Sequence, residues 1–599
     1  MRRRIAAAVT AVGLAAVMAL FGATPGAAAK SEKTVTVQTA QIKTFNPFIS
    51  FFDSELNILG SIYPSLYQYD AKNNPVPYLA ESASTSADKL TWTFKIRPGL
   101  KWTDGQPITA KDAAWTFNLI MTNSDAATAN GSLVTNFQSV TAPDDSTLVI
   151  KTKTPQGNMP YVSITVTGIP IVPQHVWQAK VKGLKDYLNN DYPVVGYGPF
   201  VLTGYKPDQY ATLEANKDFY EGQPKIDRLI LQYFKNDDAA IAALRSGQIA
   251  AVSNIPATGY KALQGIKNVM PYKQVPTRWT GVEINPGAKT RSGKAMGTGN
   301  PILADPKVRL AMAYAIDRQT LVTKVLNGLG LPGAGYIPPA YTQFAWTPDP
   351  GEAVSYDPAK ANQILDAAGY TKQSDYRVDP KTHKQLAFRL GTHSDDENDQ
   401  QIAPYLVGWF KAVGIKLTLQ PQSMSGLNDN LAKGDWDLLM DGWGTAPDPT
   451  YLLSIQTCGT LPKDDGSGGN TDAFFCDPAY DKLFAQQSAQ LDQNQRAATI
   501  RQMEQILYRA NDDIMLYYNY ILYASRTDKV TNYVQGTPDS SGNYPLQDNF
   551  VVWKQAVPVG GKSSSDAGLW IGIGIAAVVV VVLAGFFTLR RRSTAAERE

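Results

Sequence analysis

The sequence predicts an α/β protein of two or three lobes, followed by one C-terminal transmembrane helix. Three observations carry that prediction. Segments of period-two hydrophobicity alternate irregularly with segments of helical period, which suits α/β lobes better than a sandwich or a bundle. Of the 599 residues, more than five hundred remain once the apolar ends are set aside, too many for one hydrophobic core. Residues 569–589 are uncharged and rich in Val, Ile, Ala, Gly and Leu, a run long enough to cross a hydrocarbon core of ~30 Å.

The ends define the topology. Arg2, Arg3 and Arg4 precede an apolar stretch that runs to Phe21, and Ala27, Ala28 and Ala29 supply the small side chains a signal peptidase accepts. Residues 1–29 are therefore expected to be a signal peptide, and with no cysteine near the cleavage point no lipid is expected there. Arg590, Arg591 and Arg592 directly follow the C-terminal apolar run. The positive-inside rule keeps such a cluster in the cytoplasm. Residues 590–599 then read as a cytoplasmic tail, 557–568 as a flexible linker rich in Gly and Ser, and 30–556 as the extracellular part of a single-pass membrane protein.

Composition removes several function classes. The formal charge is +3; without the three leading arginines and the net two positive charges of residues 590–599 it is −2. A near-neutral body argues against nucleic acid as a partner. The only cysteines, Cys458 and Cys476, both lie on the exported side, where paired thiols oxidise. Their disulfide would close a loop of about 18 residues and stabilise by roughly 3 kcal/mol in the chain-entropy model. The three histidines, His175, His383 and His393, stand in unrelated contexts. With no HExxH, no GxSxG elbow and no Gly-rich phosphate loop, neither a metal, a cofactor nor a catalytic group is expected. Asp395, Asp396, Glu397 and Asp399 lack the spacing of a calcium loop and read as solvated surface.

The elements follow in order. Thr34 to Val37 opens as a strand. Trp92, Phe94 and Ile96 alternate with Thr93 and Lys95, a strand with one buried face. Thr109 and Asp112 form a capping box for a helix through Trp115, Phe117 and Met121. Asp305-Pro306 and Asp357-Pro358 each start a helix, the second stopping at Gly369. A strand from Leu386 to Leu390, a helix from Gln400 to Val413 and a strand from Ile415 to Leu419 make a βαβ unit. No internal repeat interrupts the series.

Six blocks then occur in a recognisable order: "LTWTFKIRPGLKWTDGQPITAKDAAWTFNLIM" from Leu90, "GYGPFVLTGYKPDQYATLEANKDFYEGQPKID" from Gly196, "DPKVRLAMAYAIDRQTLV" from Asp305, "YDPAKANQILDAAGY" from Tyr356, "WDLLMDGWGTAPDPTYLL" from Trp436, and the segment from Cys476 to Tyr508. Together they span roughly residues 34–555, and the chain resembles the family 5 extracellular solute-binding proteins of ABC transporters, the oligopeptide-, dipeptide- and nickel-binding group. The resemblance implies a periplasmic-binding-protein-like fold of two α/β lobes joined by two crossing strands, with an extra N-terminal subdomain (type II, cluster C-like). Carried over, lobe I comprises 30–50, 193–283 and 510–556, the extra subdomain 51–192 and lobe II 284–509. It implies a monomer that encloses a small peptide between the lobes by hinge motion and delivers it to permease subunits served by a cytoplasmic ATPase. An oligosaccharide receptor on the same fold is the alternative; a sensory ectodomain or an exported hydrolase are the rival classes.

The positions matching the family's cleft are Phe51, Phe52 and Asp53, Ser253 and Asn254, Glu283, Gly442, Trp443 and Gly444, and Tyr517, Tyr518 and Tyr520. Asp53 and Glu283 can attract an amine, Asn254 can bond a peptide group, and Trp443 and the tyrosines can stack. Phe51 and Phe52 are adjacent and so face opposite ways in an extended segment, as do Tyr517 and Tyr518. The sequence departs from the family after Trp443. The peptide binders carry a carboxylate three residues on that grips the ligand's α-amino group; here that residue is Ala446. Either Asp448 substitutes, or the ligand has no free amine.

Overall fold

The computed structural model describes residues 32–70, 73–394, 396–466, 471–547 and 549–559. The expected signal peptide, transmembrane helix and cytoplasmic tail lie outside these residues. Among the described residues no helix is long and apolar enough to cross a membrane. The first residues of the expected linker are not free chain: Val557–Pro558 pairs antiparallel with Val530–Thr531.

Three larger sheets organise the chain. An eight-stranded mixed sheet runs, edge to edge, through Asn543–Tyr544, Val269–Gln274, Ile521–Arg526, Ala251–Val252, Thr34–Thr39, Arg228–Tyr233, Tyr210–Ala215 and Phe200–Lys206. A six-stranded sheet runs through Gly330–Pro332, Asp513–Asn519, Thr280–Ile284, Leu438–Asp441, Ala387–His393 and Lys416–Gln422. A four-stranded antiparallel sheet takes the order Ala80–Thr85, Thr91–Ile96, Thr147–Thr152, Phe137–Asp144.

Local chemistry accounts for most elements. In the strand Thr91–Ile96, Trp92, Phe94 and Ile96 are buried while Lys95 faces out, each fully buried apolar side chain contributing about 1.5–3 kcal/mol. Thr109 and Asp112 form the expected capping box of the helix Ala110–Thr122. Asp305 accepts from Lys307 N and Asp357 from Lys360 N, capping helices that carry Pro at their first turn. The βαβ unit is present and longer than its apolar core: Ala387–His393 and Lys416–Gln422 pair in parallel register around the helix Glu397–Ala412. The four-stranded sheet does not have a core of its own. Phe94 and Ile150 belong to the same buried cluster as Val37 and Leu213 of the eight-stranded sheet.

The chain passes between the eight- and six-stranded sheets twice. It leaves Gln274 and re-enters at Thr280, and it returns from Asn519 through Tyr520 to Ile521. The expected boundaries at 283 and 510 therefore need correction. Thr280–Ile284 and Asp513–Asn519 pair with each other and are strands of the six-stranded sheet. Hydrogen-bond registry, not the apolar run visible in sequence, sets the crossing.

Candidate functional site

In open α/β sheets the crevice beyond the carboxyl ends of parallel strands is where ligands bind. His393 and Asp441 are the last residues of the parallel strands Ala387–His393 and Leu438–Asp441. Both line a cavity of about 270 Å³ beside the first crossing, together with Arg278, Asp396, Asp399 and Tyr517. His393 Nδ1 and backbone N lie 2.8 and 2.9 Å from Asp399 Oδ2. The hydrogen bond to that carboxylate raises the imidazole's pKa against the effect of burial, and Nε2 is buried without a protein partner. Burial raises the Asp441 carboxyl, while His393 and Arg278 pull it down. Asp396 caps the helix Glu397–Ala412 by accepting from Asn398 N and Asp399 N. The reading of this acidic run as solvated surface fails for Asp399, which is buried against His393; Asp395 lies outside the described residues.

Gly442, Trp443 and Gly444 continue from Asp441 along the crossing. A Cβ on Gly442 would stand 2.1 Å from Trp279 O, so only glycine permits this approach. Arg278 Nη2 donates to Gly442 O at 2.6 Å, and Trp279 N donates to Trp443 O at 3.1 Å. The Trp443 indole is half-buried, packs on the cluster holding Trp279, Tyr336 and Tyr341, and meets Tyr451 edge-on at 6.3 Å. Its N–H donates to Asp472. Gly444 is exposed and bridges Arg278. On the far side of Trp443, Ala446, Asp448 and Tyr451 line a second cavity of about 600 Å³, whose opposite wall includes Asn136, Gln156 and Tyr161.

Two expected amine-binding groups are committed elsewhere. Asp448 lies 2.6 Å from the fully buried guanidinium of Arg496 and accepts from Thr450 N at 3.0 Å. Arg496 is further held by Gln487, Gln493 and Thr450. Asp448 is thus one half of an internal ion pair. Glu283 is fully buried and opposite Asp513 in the six-stranded sheet. Burial first, then Asp472, Asp441 and Asp513, push its carboxyl well above the usual range, and being fully buried it does not face the cleft where an amine would bind.

The remaining positions divide. Tyr517 lines the first cavity. Tyr518, its neighbour, points the other way into the core, accepting from Ala334 N at 3.1 Å and donating to Gly335 O; it does not face the cleft. Tyr520 sits in the second crossing, mostly buried, with the Lys273 ammonium 4.7 Å from its ring centroid. Phe51 and Phe52 are both exposed, at 60% and 51%, and the Lys43 ammonium covers the Phe52 ring at 4.6 Å. Asp53 is exposed in the first turn of the helix Asp53–Ile62. Its charge reaches both Tyr341 and Tyr523, one from each side of the crossing. Ser253 is tied by N and Oγ to Gln38 Oε1, each at 3.1 Å. Asn254 is exposed in the left-handed region, φ 56°. Cys458 and Cys476 are joined in a disulfide.

Sequence reading passed over Arg278, His393 and Asp441, and the wall formed by Asn136, Gln156 and Tyr161. Two of these carried a usable signal: His393 closes the first strand of the βαβ unit and Asp441 closes the apolar strand beside it, and strand ends are where such folds place their sites. Nothing local marks Asn136, Gln156 or Tyr161, which reach the second cavity from over two hundred residues away.

Two α/β lobes joined by two crossings, with a polar cavity at strand ends beside the crossing, define a two-lobe binding protein of the periplasmic-binding-protein type. The chain belongs to the bacterial extracellular solute-binding proteins, family 5, whose middle region matches residues 74–461. It is 27% identical over 409 residues to the oligopeptide-binding protein AppA of Bacillus subtilis, covering 68% of this chain and 72% of that one. It is 25% identical over 519 residues to the oligopeptide-binding protein OppA of the same organism, covering 81% and 88%. The structure of AppA in complex with a nonapeptide superposes with a TM-score of 0.67 at 23% identity, over 89% of this chain and all of that one. The ABC transporter substrate-binding protein CtaP of Listeria monocytogenes gives 0.72 at 20% identity, over 89% and 100%.

Proposed function

We propose that this protein captures small peptides outside the cell in the cleft between its lobes and presents them to an ABC permease driven by a cytoplasmic ATPase. The observation that carries this reading is the similarity to two oligopeptide-binding proteins over most of the body. The cleft geometry agrees with it: a peptide has charged ends, amide groups and side chains, and the cleft offers a charged cavity at the strand ends, a half-buried Trp443 and a roomier neutral cavity beyond. The lobes would close over the ligand by rotation at residues 275–279 and Tyr520. Residues 1–29 would be removed on export, and residues 569–589 would then hold the binding body at the outer face of the membrane.

An oligosaccharide is the second reading, favoured by the larger cavity. Its walls carry amides, hydroxyls and aromatic rings, and its one lining carboxylate, Asp448, is already paired with Arg496. Mass spectrometry of small molecules released by denaturing the purified protein separates the two. Peptides recovered intact support the first reading. Sugars alone would replace it with the second, and peptide fragments that accumulate on incubation would point to a hydrolase.

A further inference from the structure

We propose that the N-terminal ammonium group of the ligand is held by Asp441 in the cavity at the strand ends, not by Asp448. The inference rests on the peptide reading and assigns the site within it. Asp448, the first acid after Trp443, is locked to Arg496 and Thr450 N. Asp448 is therefore not available for an amine. Asp441 stands two residues before Trp443 and lines the 270 Å³ cavity. Gly442 N donates to its Oδ1 at 2.6 Å, which leaves Oδ2 for a ligand donor.

The charges around the cavity favour a cation. Asp396, Asp399 and Asp441 face Arg278 and His393: three carboxylates against two cations leave one negative charge, and two once His393 loses its proton. Asp399 is taken up by His393 at 2.8 Å. Arg278 is exposed and turned to Gly442 O. Glu283, Asp472 and Asp513 lie within electrostatic reach of Asp441, but burial disfavours their charged forms and they do not enter this balance. Tyr517 and Thr280 complete the lining and are uncharged. Rising pH ionises Asp441 and discharges His393, whose pKa values are both raised. Both changes strengthen the hold on a cation, so affinity rises with pH until the peptide's own amine, with a pKa of about 8, begins to lose its proton.

The test uses the full-length protein, a library of free-amine tripeptides and the same library N-acetylated, read by native mass spectrometry and then by calorimetry on the tightest binder. Free-amine peptides are expected to be retained and acetylated ones lost. Asp441→Asn should weaken free-amine binding roughly ten- to a hundredfold, the weight of one charge-assisted hydrogen bond. The affinity of the unaltered protein should rise between about pH 5 and about pH 7, below the range in which the peptide amine deprotonates, and His393→Gln should flatten that rise. Equal affinity in Asp441→Asn, equal retention of acetylated peptides, or a flat pH profile of the unaltered protein each overturns the assignment. If Asp441→Asn fails to fold, acetylation and the pH profile still decide. Failure of the unaltered protein to retain any peptide overturns the peptide reading and this assignment with it; retention without any of the three dependences overturns the assignment alone.

Discussion

Asp448 shows how a single side chain changes meaning once its neighbours are known. In the sequence it is the nearest acid to the vacant amine-binding position, and in the structure it neutralises Arg496, which is fully buried and reached by three further side chains. Removing one partner of a buried pair leaves an uncompensated charge, which costs about 3–5 kcal/mol. Asp448→Asn should lower stability by that amount in urea titration while leaving the free-amine preference of the folded fraction unchanged. A variant as stable as the original protein would show that the pair is not formed in solution. Gly442 is read more directly: with Trp279 O 2.1 Å from where a Cβ would be, the glycine next to Trp443 is required by backbone packing at the crossing.

The central strands of the six-stranded sheet hold a concentration of buried carboxyls whose charged forms are disfavoured. Glu283 and Asp513 face each other in neighbouring strands, and Asp472 reaches the same region from the disulfide loop. Burial pushes Glu283 and Asp472 well above the carboxylate range and Asp513 up to about 8. An acid whose folded pKa exceeds its unfolded value binds its proton more tightly when folded, so stability falls as pH rises from the unfolded carboxyl range of about 4 and levels off only above the folded pKa. Asp512, pushed to about 6 by burial beside Arg309, acts in the same direction. His393, raised by Asp399, adds stability below its unfolded pKa that is lost as pH climbs through its folded one. The urea midpoint should therefore drop between about pH 5 and about pH 8.5, and Glu283→Gln, which cannot ionise, should reduce the slope. A midpoint that rises over this window contradicts the upward shift of these carboxyls.

At the level of the whole molecule, the two crossings leave the lobes free to rotate unless something spans the cleft. Gly157, in the turn after the strand Thr147–Thr152, does so. Its N–H donates to Ser488 O at 2.6 Å, its carbonyl accepts from Gln493 Nε2 at 3.2 Å, and a Cβ there would lie 2.1 Å from Gln490 O. These bonds join the region of the four-stranded sheet to the helices Pro478–Ala489 and Gln493–Ala510. Small-angle scattering should show a smaller radius of gyration with ligand than without. Gly157→Val should keep the liganded protein at the larger value and weaken binding by about 1–3 kcal/mol, the cost of overpacking a closed contact. The same radius in both proteins with ligand would mean that this contact does not hold the lobes together.

The elements were legible in the sequence because their causes are local. The capping box at Thr109, the Asp-Pro starts at 305 and 357 and the alternation through Trp92, Phe94 and Ile96 depend on residues a few positions apart, and each reappears in place. Family membership was legible because six ordered blocks survive as linear text. The site was legible only in part. Gly442, Trp443 and Tyr517 stand beside the crossing, whereas Glu283, Tyr518 and Asp448 face inward. Which face of a strand meets solvent, and which buried cation claims a carboxylate, depend on residues from tens to hundreds of positions away: Asp513 opposite Glu283, Gly335 beneath Tyr518, Arg496 against Asp448. Sequence alone determined what this chain is made of and which family it joins. Tertiary packing decided which of its charges are free to meet a ligand, because desolvation and ion pairing are properties of the assembled neighbourhood and not of the residue.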